Sequence, residues 1–451
     1  MLNLKSKLLT TVAFLFGAGL ALAQDSGPLI DLLVKKGVVN DQEAEELRAE
    51  LVKDFVANTS AGKLNLGSTL TELKISGDVR IRYEDRVGVL PPTSLIPGGD
   101  HQERDRFRYR FRTSLTGKLV NNWAFGVRLE TATGSRSSNV TMGDDAGPFA
   151  KTNDTVNVGQ IYINWTPTPE WTLTVGRMAN PFVSTLMVWD ADINPEGFAE
   201  QYRHREGNNE FFATLGQFLY STSGTQNTFG GTANAAGTKD LYMLAWQGGY
   251  KRYVNGATNF FQVAPVIYNY VQSDQRRNPA AFGAFFSPTN GAAVNNLFVL
   301  DVPFEYNWVC KNGVPMRAFA DMAVNLDGSA RARKYGQPTL DGENKAYHVG
   351  FQYGKASLKG EWDLRVIYQS VGAFALDPNL VDSDLFDSRT NMQGFVVGGN
   401  YALGAATQLG LTYGNAKRKN GTITAPGSGD IGANNALNKF SVFQLDLNIK
   451  Y

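Results

Sequence analysis

Between Arg106 and Leu119 the chain sets Arg106, Arg108, Arg110, Arg112 and Lys118 against Phe107, Tyr109, Phe111, Leu115 and Leu119 in strict alternation. Successive side chains of a β-strand point to opposite faces, so this stretch is a strand with one face of cations and one of rings and aliphatics. Such a strand has no place in a soluble core. Its charged face needs water, and its apolar face needs an equally long non-aqueous surface.

The same period runs through nearly all of the chain after Leu70. Leu73, Ile75, Val79, Ile81 and Tyr83 alternate with Lys74, Ser76, Asp78, Arg80, Arg82 and Glu84. After the tight turn at Asn121 and Asn122, Trp123, Phe125, Val127 and Leu129 alternate with Arg128 and Glu130. Further strands are expected near 157–165, 171–177, 198–205, 210–221, 240–250, 259–270, 296–306, 315–324, 346–353, 361–370, 392–401, 406–414 and 438–451. With the first three this makes about sixteen, an even number that suits a closed antiparallel barrel wide enough for water. Long connections rich in Gly, Asn, Asp, Ser and Pro, at 85–104, 134–156, 222–239, 271–295, 325–345, 371–391 and 415–436, alternate with short turns. The expected fold is therefore an all-β transmembrane antiparallel barrel spanning 70–451. Trp123, Trp165, Trp171, Trp246, Trp308 and Trp362 share the parity of the apolar face and lie near the short turns, as an interfacial aromatic girdle would.

The last stretch makes the alternation strictest. Phe443, Leu445, Leu447, Ile449 and Tyr451 fall on one face, Gln444, Asp446, Asn448 and Lys450 on the other, and the chain stops on the ring. This resembles the C-terminal strand of bacterial outer-membrane barrels, although the usual final residue there is Phe. The resemblance implies that the strand closes the barrel onto the first one and is read by the outer-membrane insertion machinery.

At the other end, Lys5 and Lys7, an apolar run from Leu8 to Leu20 and the sequence Ala21, Leu22, Ala23 read as a secretory signal over 1–23. The apolar run is shorter than the roughly 20 residues that span a bilayer. Residues 24–62 are expected to form a short periplasmic helical segment. There Asn40 and Glu43 have capping-box spacing, and Ala44, Leu47, Leu51 and Phe55 recur at helical spacing. Such a stripe suits a trimer-forming helix, a contact with the cell wall layer, or packing on itself.

Composition narrows the function classes. Charged residues make up 19%, aromatics 12%, glycines number 47, and the formal net charge is +1. A balanced charge suggests no nucleic-acid partner. A mean hydropathy of −0.25 is too polar for a helical membrane protein of this size. One cysteine, Cys310, excludes an internal disulfide framework. His101, His204 and His348 form no metal-ligand spacing, and no phosphate-loop or nucleophile motif is present, so no catalytic residue, metal or cofactor is expected. His348 is the best candidate for a barrel hydrolase, and a pore-lining role suits it better.

One connection departs from a surface loop. Met178 to Gly197 carries Asn180, Pro181, Phe182, then Leu186, Met187, Val188, Trp189, Asp190, Ala191, Asp192, then Asn194, Pro195, Glu196, Gly197, and is too apolar to lie in water. The stretch is similar to the third external loop of porins, which folds into the barrel. From Gly176 and Arg177 through Glu196 and Gly197 the chain resembles a porin family that also carries an N-terminal helical segment. The resemblance implies an outer-membrane channel for passive diffusion of small hydrophilic solutes and ions, a homotrimer embedded in outer-membrane lipid, with a substrate-specific anion channel or a non-conducting adhesin or scaffold as alternatives. Asp190, Asp192 and Glu196 would form the constriction opposite the pore-lining row Arg106, Arg108, Arg110, Arg112 and Arg128. Alternatively the arginines pair with Asp78, Glu84 and Glu130 to stiffen the wall.

Overall fold

The computed structural model describes residues 34–36, 44, 67–90, 100–132, 136–144, 147–150, 155–221, 240–256, 258–271, 286–287, 291–292, 294–423, 429–431 and 437–451. The expected signal and nearly all of the expected helical segment lie outside these residues. The chain divides into two units, Met1–Ser68 and Thr69–Tyr451, and the second is the barrel.

Sixteen strands form that barrel. In chain order they are β1 (Leu70–Val89), β2 (His101–Leu119), β3 (Trp123–Thr131), β4 (Val156–Trp165), β5 (Trp171–Arg177), β6 (Glu196–Glu206), β7 (Asn209–Ser221) and β8 (Leu241–Asn255). Then come β9 (Asn259–Val263 and Val266–Val271), β10 (Phe298–Val309), β11 (Pro315–Asn325), β12 (Lys345–Gly354), β13 (Trp362–Val371), β14 (Met392–Ala402), β15 (Thr407–Arg418) and β16 (Lys439–Lys450). Each pairs antiparallel with the next, and β16 returns to β1 in the register Val79↔Ile449, Ile81↔Leu447, Tyr83↔Leu445. The sheet has no free edge, so every strand finds both partners inside the chain.

Local chemistry explains the junctions. Asn121 and Asn122 take φ of 61° and 63°, the left-handed pair that a two-residue hairpin turn of matching twist requires. β9 was expected unbroken over 259–270; it is interrupted at Ala264 and Pro265, because proline has no N–H to give the ladder. The first hairpin is longer than expected, with Val89 paired to His101, so the connection is shorter than 85–104. Its extra rungs are held by Arg86 and Arg104, which bond acids of distant segments. At the closing seam Tyr451 exchanges both backbone bonds with Gly77, N–H to O at 3.1 Å and O from N–H at 2.9 Å. The tyrosine ring lies over Gly77, where a Cβ would sit 2.7 Å from Cζ of the ring.

The two faces follow the alternation. Ile163, Val175, Leu215, Phe304, Val349, Leu364, Leu411 and Leu447 point outward and are exposed. Among the described residues no helix is long and apolar enough to cross a membrane, so the strands provide the apolar surface. Trp123 and Trp165 stack at 5.5 Å beside the short turns, Trp171 packs on Tyr202 and Trp362 on Tyr353. Trp308 is half-buried against Tyr306. Trp246 departs from the expected ring: it pairs with Leu215 and Ile267 in mid-strand, away from the turn after Asn255.

The hydrophobic core lies inside the barrel and is built by loops. Loop 3, between β5 and β6, buries Met178, Phe182, Met187, Val188 and Trp189 against inward residues of β7 to β13. Loop 7, between β13 and β14, joins it with Ala375, Leu376, Leu380 and Val381, while Leu385 and Phe386 enter a second cluster against β11, β13 and β14. An external position was expected for 371–391. Its apolar run, Ala373 to Leu376, is instead fully buried, for the same reason that brings loop 3 inside.

Candidate functional site: the charged wall and the two inner loops

β1 and β2 align their even-numbered side chains inward, and the register sets Arg80 opposite Arg110, Arg82 opposite Arg108 and Arg86 opposite Arg104. Like charges directly across a pair of strands repel. Acids placed between them reverse the balance. Asp78 binds Arg110 at 2.7 Å and Arg112 at 2.8 Å. Glu84, with no exposed surface, receives Arg106 at 2.5 Å, Arg86 at 3.1 Å, and Arg82 and Arg108 at 3.4 Å each. Arg128 pairs with Glu130 at 2.7 Å. The wall pairs expected at Asp78 and Glu84 are therefore present, whereas Glu130 takes Arg128 of its own strand rather than an arginine of β2.

The same arginines hold the loops. Loop 7 supplies Asp384 to Arg82 at 3.0 Å and Arg86 at 3.1 Å, and Asp387 to Arg86 at 2.9 Å. Asp430, between β15 and β16, bonds Arg106. From β16, Asp446 takes Arg82 at 2.7 Å. Arg80 and Arg108 differ: Arg80 gives its bonds to the Asn139 amide oxygen, with Asp446 at 4.0 Å, and Arg108 donates to Ser137 Oγ and the Asn139 carbonyl.

The three acids expected at the constriction separate. Asp192 alone reaches the arginine row, bonding Arg112 at 3.0 Å. Asp190 is buried and turned toward loop 7, where its carboxylate accepts the Asp192 N–H at 2.9 Å and the Ser383 N–H at 3.3 Å. Its own N–H bonds the Leu380 carbonyl at 2.7 Å, and the Asp382 N–H bonds the Leu186 carbonyl at 3.2 Å. Burial, with Asp192 and Asp384 nearby, pushes Asp190 up to about 7. Burial likewise lifts Asp382 well above the usual carboxylate range, with Asp190 and Asp384 adding to it. Burial alone would also raise Asp384, yet Arg82 and Arg86 hold it well below. Glu196 is not in the lumen. It opens β6 with the outward parity of Phe198 and pairs with Arg177 at 2.5 Å on the outer face.

Sequence reasoning missed the second inner loop and its acids, Asp384 and Asp387. The apolar run Ala373 to Leu376 carried the signal, identical in kind to that of loop 3. His348 is 2% exposed, with Nδ1 3.0 Å from Gln369 Oε1.

Residues 92–296 and 296–451 match the family described as "Putative porin". The chain belongs to this porin family. Family and barrel together make it a channel-forming membrane protein, and they point to a channel rather than an enzyme. No curated protein sequence matches the chain. Among solved structures, OprB of Pseudomonas putida at high pH is 12% identical, covering 84% of this chain and 94% of that one with a TM-score of 0.48. The anion-selective porin from Comamonas acidovorans is 10% identical, covering 84% and 99%, with a TM-score of 0.44. A double mutant of the Rh. blastica porin is 9% identical, covering 84% and 100%, with a TM-score of 0.39.

Proposed function

We propose that this porin sits in the outer membrane as a homotrimer and passes small hydrophilic solutes and ions by passive diffusion through an eyelet bounded by the β1–β2 arginine wall, loop 3 and loop 7. Residues 1–23 act as the secretory signal, 24–62 as a periplasmic segment, and the β16 strand as the feature read by the insertion machinery. One observation carries the selectivity reading: the arginines of β1 and β2 are interleaved with, and bonded to, a comparable set of carboxylates. A nearly neutralised wall orients polar solutes by its transverse field without strongly excluding either sign of ion. Arg80 and Arg108, whose closest partners are neutral groups of the connection between β3 and β4, favour a second reading, a channel that prefers anions.

An outward polar strip supports the trimer. Arg177 with Glu196 on β5 and β6, and Glu200 with Gln217 at 3.1 Å on β6 and β7, interrupt an otherwise apolar outer wall next to Val175 and Phe198. Charged side chains facing lipid cost up to about 2–4 kcal/mol for a cation near the midplane, so a second copy covering this strip removes the cost.

Planar-bilayer recordings of purified protein under a salt gradient test the function. Discrete conductance with a small reversal potential is expected. Absence of conductance from correctly folded protein refutes the channel reading, and a large potential of anion-selective sign replaces the first reading with the second.

A further inference from the structure

Among the described residues the buried acids of the barrel interior are compensated by arginines or by several hydrogen bonds, with one exception. Asp301 on β10 and Asp321 on β11 point to the same inner face as diagonal neighbours, Asp321 paired with Pro303 and Asp301 with Ala323. Asp301 has no exposed surface and Asp321 is 2% exposed. The diagonal register sets the two carboxyl groups side by side on the buried inner face. Among the described residues no ion pair reaches either, and the hydroxyl of Thr185, in loop 3, donates to Asp321 Oδ2. Both oxygens of Asp301 and Oδ1 of Asp321 are buried without a partner. So is the hydroxyl of Tyr268, 2% exposed on β9, for which these two aspartates are the neighbouring charges.

Two adjacent buried carboxylates cannot both be ionised without a compensating charge. A single shared proton would satisfy one oxygen-to-oxygen contact and leave the other carboxylate oxygen and the Tyr268 hydroxyl orphaned. A cation engages them all. We propose that Asp301 and Asp321 bind a hard divalent cation of the calcium class, with Tyr268 Oη and water completing an all-oxygen shell. The doubly negative charge calls for a divalent ion, oxygen donors exclude soft metals, and an irregular shell suits calcium better than magnesium's strict octahedron. The described residues contain no group of three or more acids, imidazoles and thiols, so the site depends on these neutral donors. His348 stands across from Asp321 on β12 with Nδ1 engaged by Gln369, but among the described residues it does not complete a ligand group with the two aspartates.

The position gives the ion a task. Thr185 begins the turn that carries Trp189, whose N–H bonds the Thr185 carbonyl at 3.0 Å, and its side chain is tied to one of the two proposed ligands. The cation would fix the rotamer of Asp321 and so pin loop 3 to the wall opposite the arginines. This site stands independently of the channel's selectivity.

The test uses the full folded barrel, dialysed against millimolar Ca2+ and then against buffer with or without chelator. Elemental analysis is expected to find one Ca2+ retained per chain in the native protein and none in the Asp301→Asn/Asp321→Asn variant. Chelation should lower the temperature at which the folded band converts to the unfolded one on gels for the native protein and leave the variant unmoved, which separates this site from cations held by lipid. Should the double variant fail to fold, Asp321→Asn alone and the native stoichiometry decide. Native protein that retains no Ca2+, or equal retention by native and variant proteins, overturns the site in favour of a shared proton.

Discussion

Replacing Glu84 by Gln removes one charge and leaves the shape of the side chain. Glu84 is fully buried and serves four guanidinium groups within 3.4 Å. Three keep another carboxylate: Arg82 retains Asp384 and Asp446, Arg86 retains Asp384 and Asp387, and Arg106 retains Asp430. Arg108 keeps only Ser137 Oγ and the Asn139 carbonyl. Breaking a buried pair from one side costs about 3–5 kcal/mol, because the surviving charge stays buried. The remaining carboxylates soften this, and the new amide N–H groups face donors, so the expected loss is about 3 kcal/mol. The measurement is the urea midpoint of the folded, heat-modifiable species at fixed slope. Reversal potentials should move toward anions, since one negative charge leaves the wall. A loss below about 1 kcal/mol, the range of exposed ion pairs, would refute the claim that Glu84 organises this wall.

Arg108→Gln with Arg110→Gln should move the reversal potential toward cations, whereas Asp190→Asn should leave it nearly unchanged, because Asp190 faces loop 7 and not the arginines. Gly77→Ala places a Cβ 2.2 Å from the Arg112 carbonyl oxygen under the Tyr451 ring; the expected cost is about 1–3 kcal/mol, read as a smaller heat-modifiable fraction. Asp190, pushed up by burial from 3.8 to about 7, strengthens loop docking fully below about pH 4 and loses that contribution as pH rises through 7, by at most about 4 kcal/mol. Asp384, held low by its arginines, works in the opposite sense and loses its contribution only in acid. Hydrogen exchange at the Asp190 and Asp382 amides, corrected for intrinsic rates, should therefore accelerate as pH rises from about 4 to 7 in the native protein, between the free and folded values of Asp190, and lose part of that pH response in Asp190→Asn; equal profiles would refute it.

The wall of the barrel was legible because each strand carries its own evidence. Period two needs no partner to be read, and Phe107 with Arg108 states which side is wet wherever the strand ends up. The Asn121–Asn122 turn and the terminal Tyr451 are equally local, since one follows from a left-handed backbone preference and the other from a ring that must end on the apolar face. Strand ends were less legible. Val89 and His101 extend a hairpin whose sequence is polar and proline-flanked, and the added rungs depend on acids from loop 7 and from the connection between β15 and β16 that lie far away in the chain.

What the sequence alone determined, then, is a closed barrel with a cationic inner strand and one loop too apolar for water. Which carboxylate meets which guanidinium was decided only in three dimensions. Glu196 and Asp190 share a loop with Asp192 and look equivalent in sequence, yet strand parity sends Glu196 to the outer face and the turn at Thr185 sends Asp190 into loop 7. Asp301 and Asp321 are twenty residues apart and unremarkable singly; register alone makes them neighbours. The physical reason is common to these cases: hydrophobic alternation acts residue by residue, whereas charge pairing falls steeply with distance and so depends on the placement of elements that only the folded chain brings together.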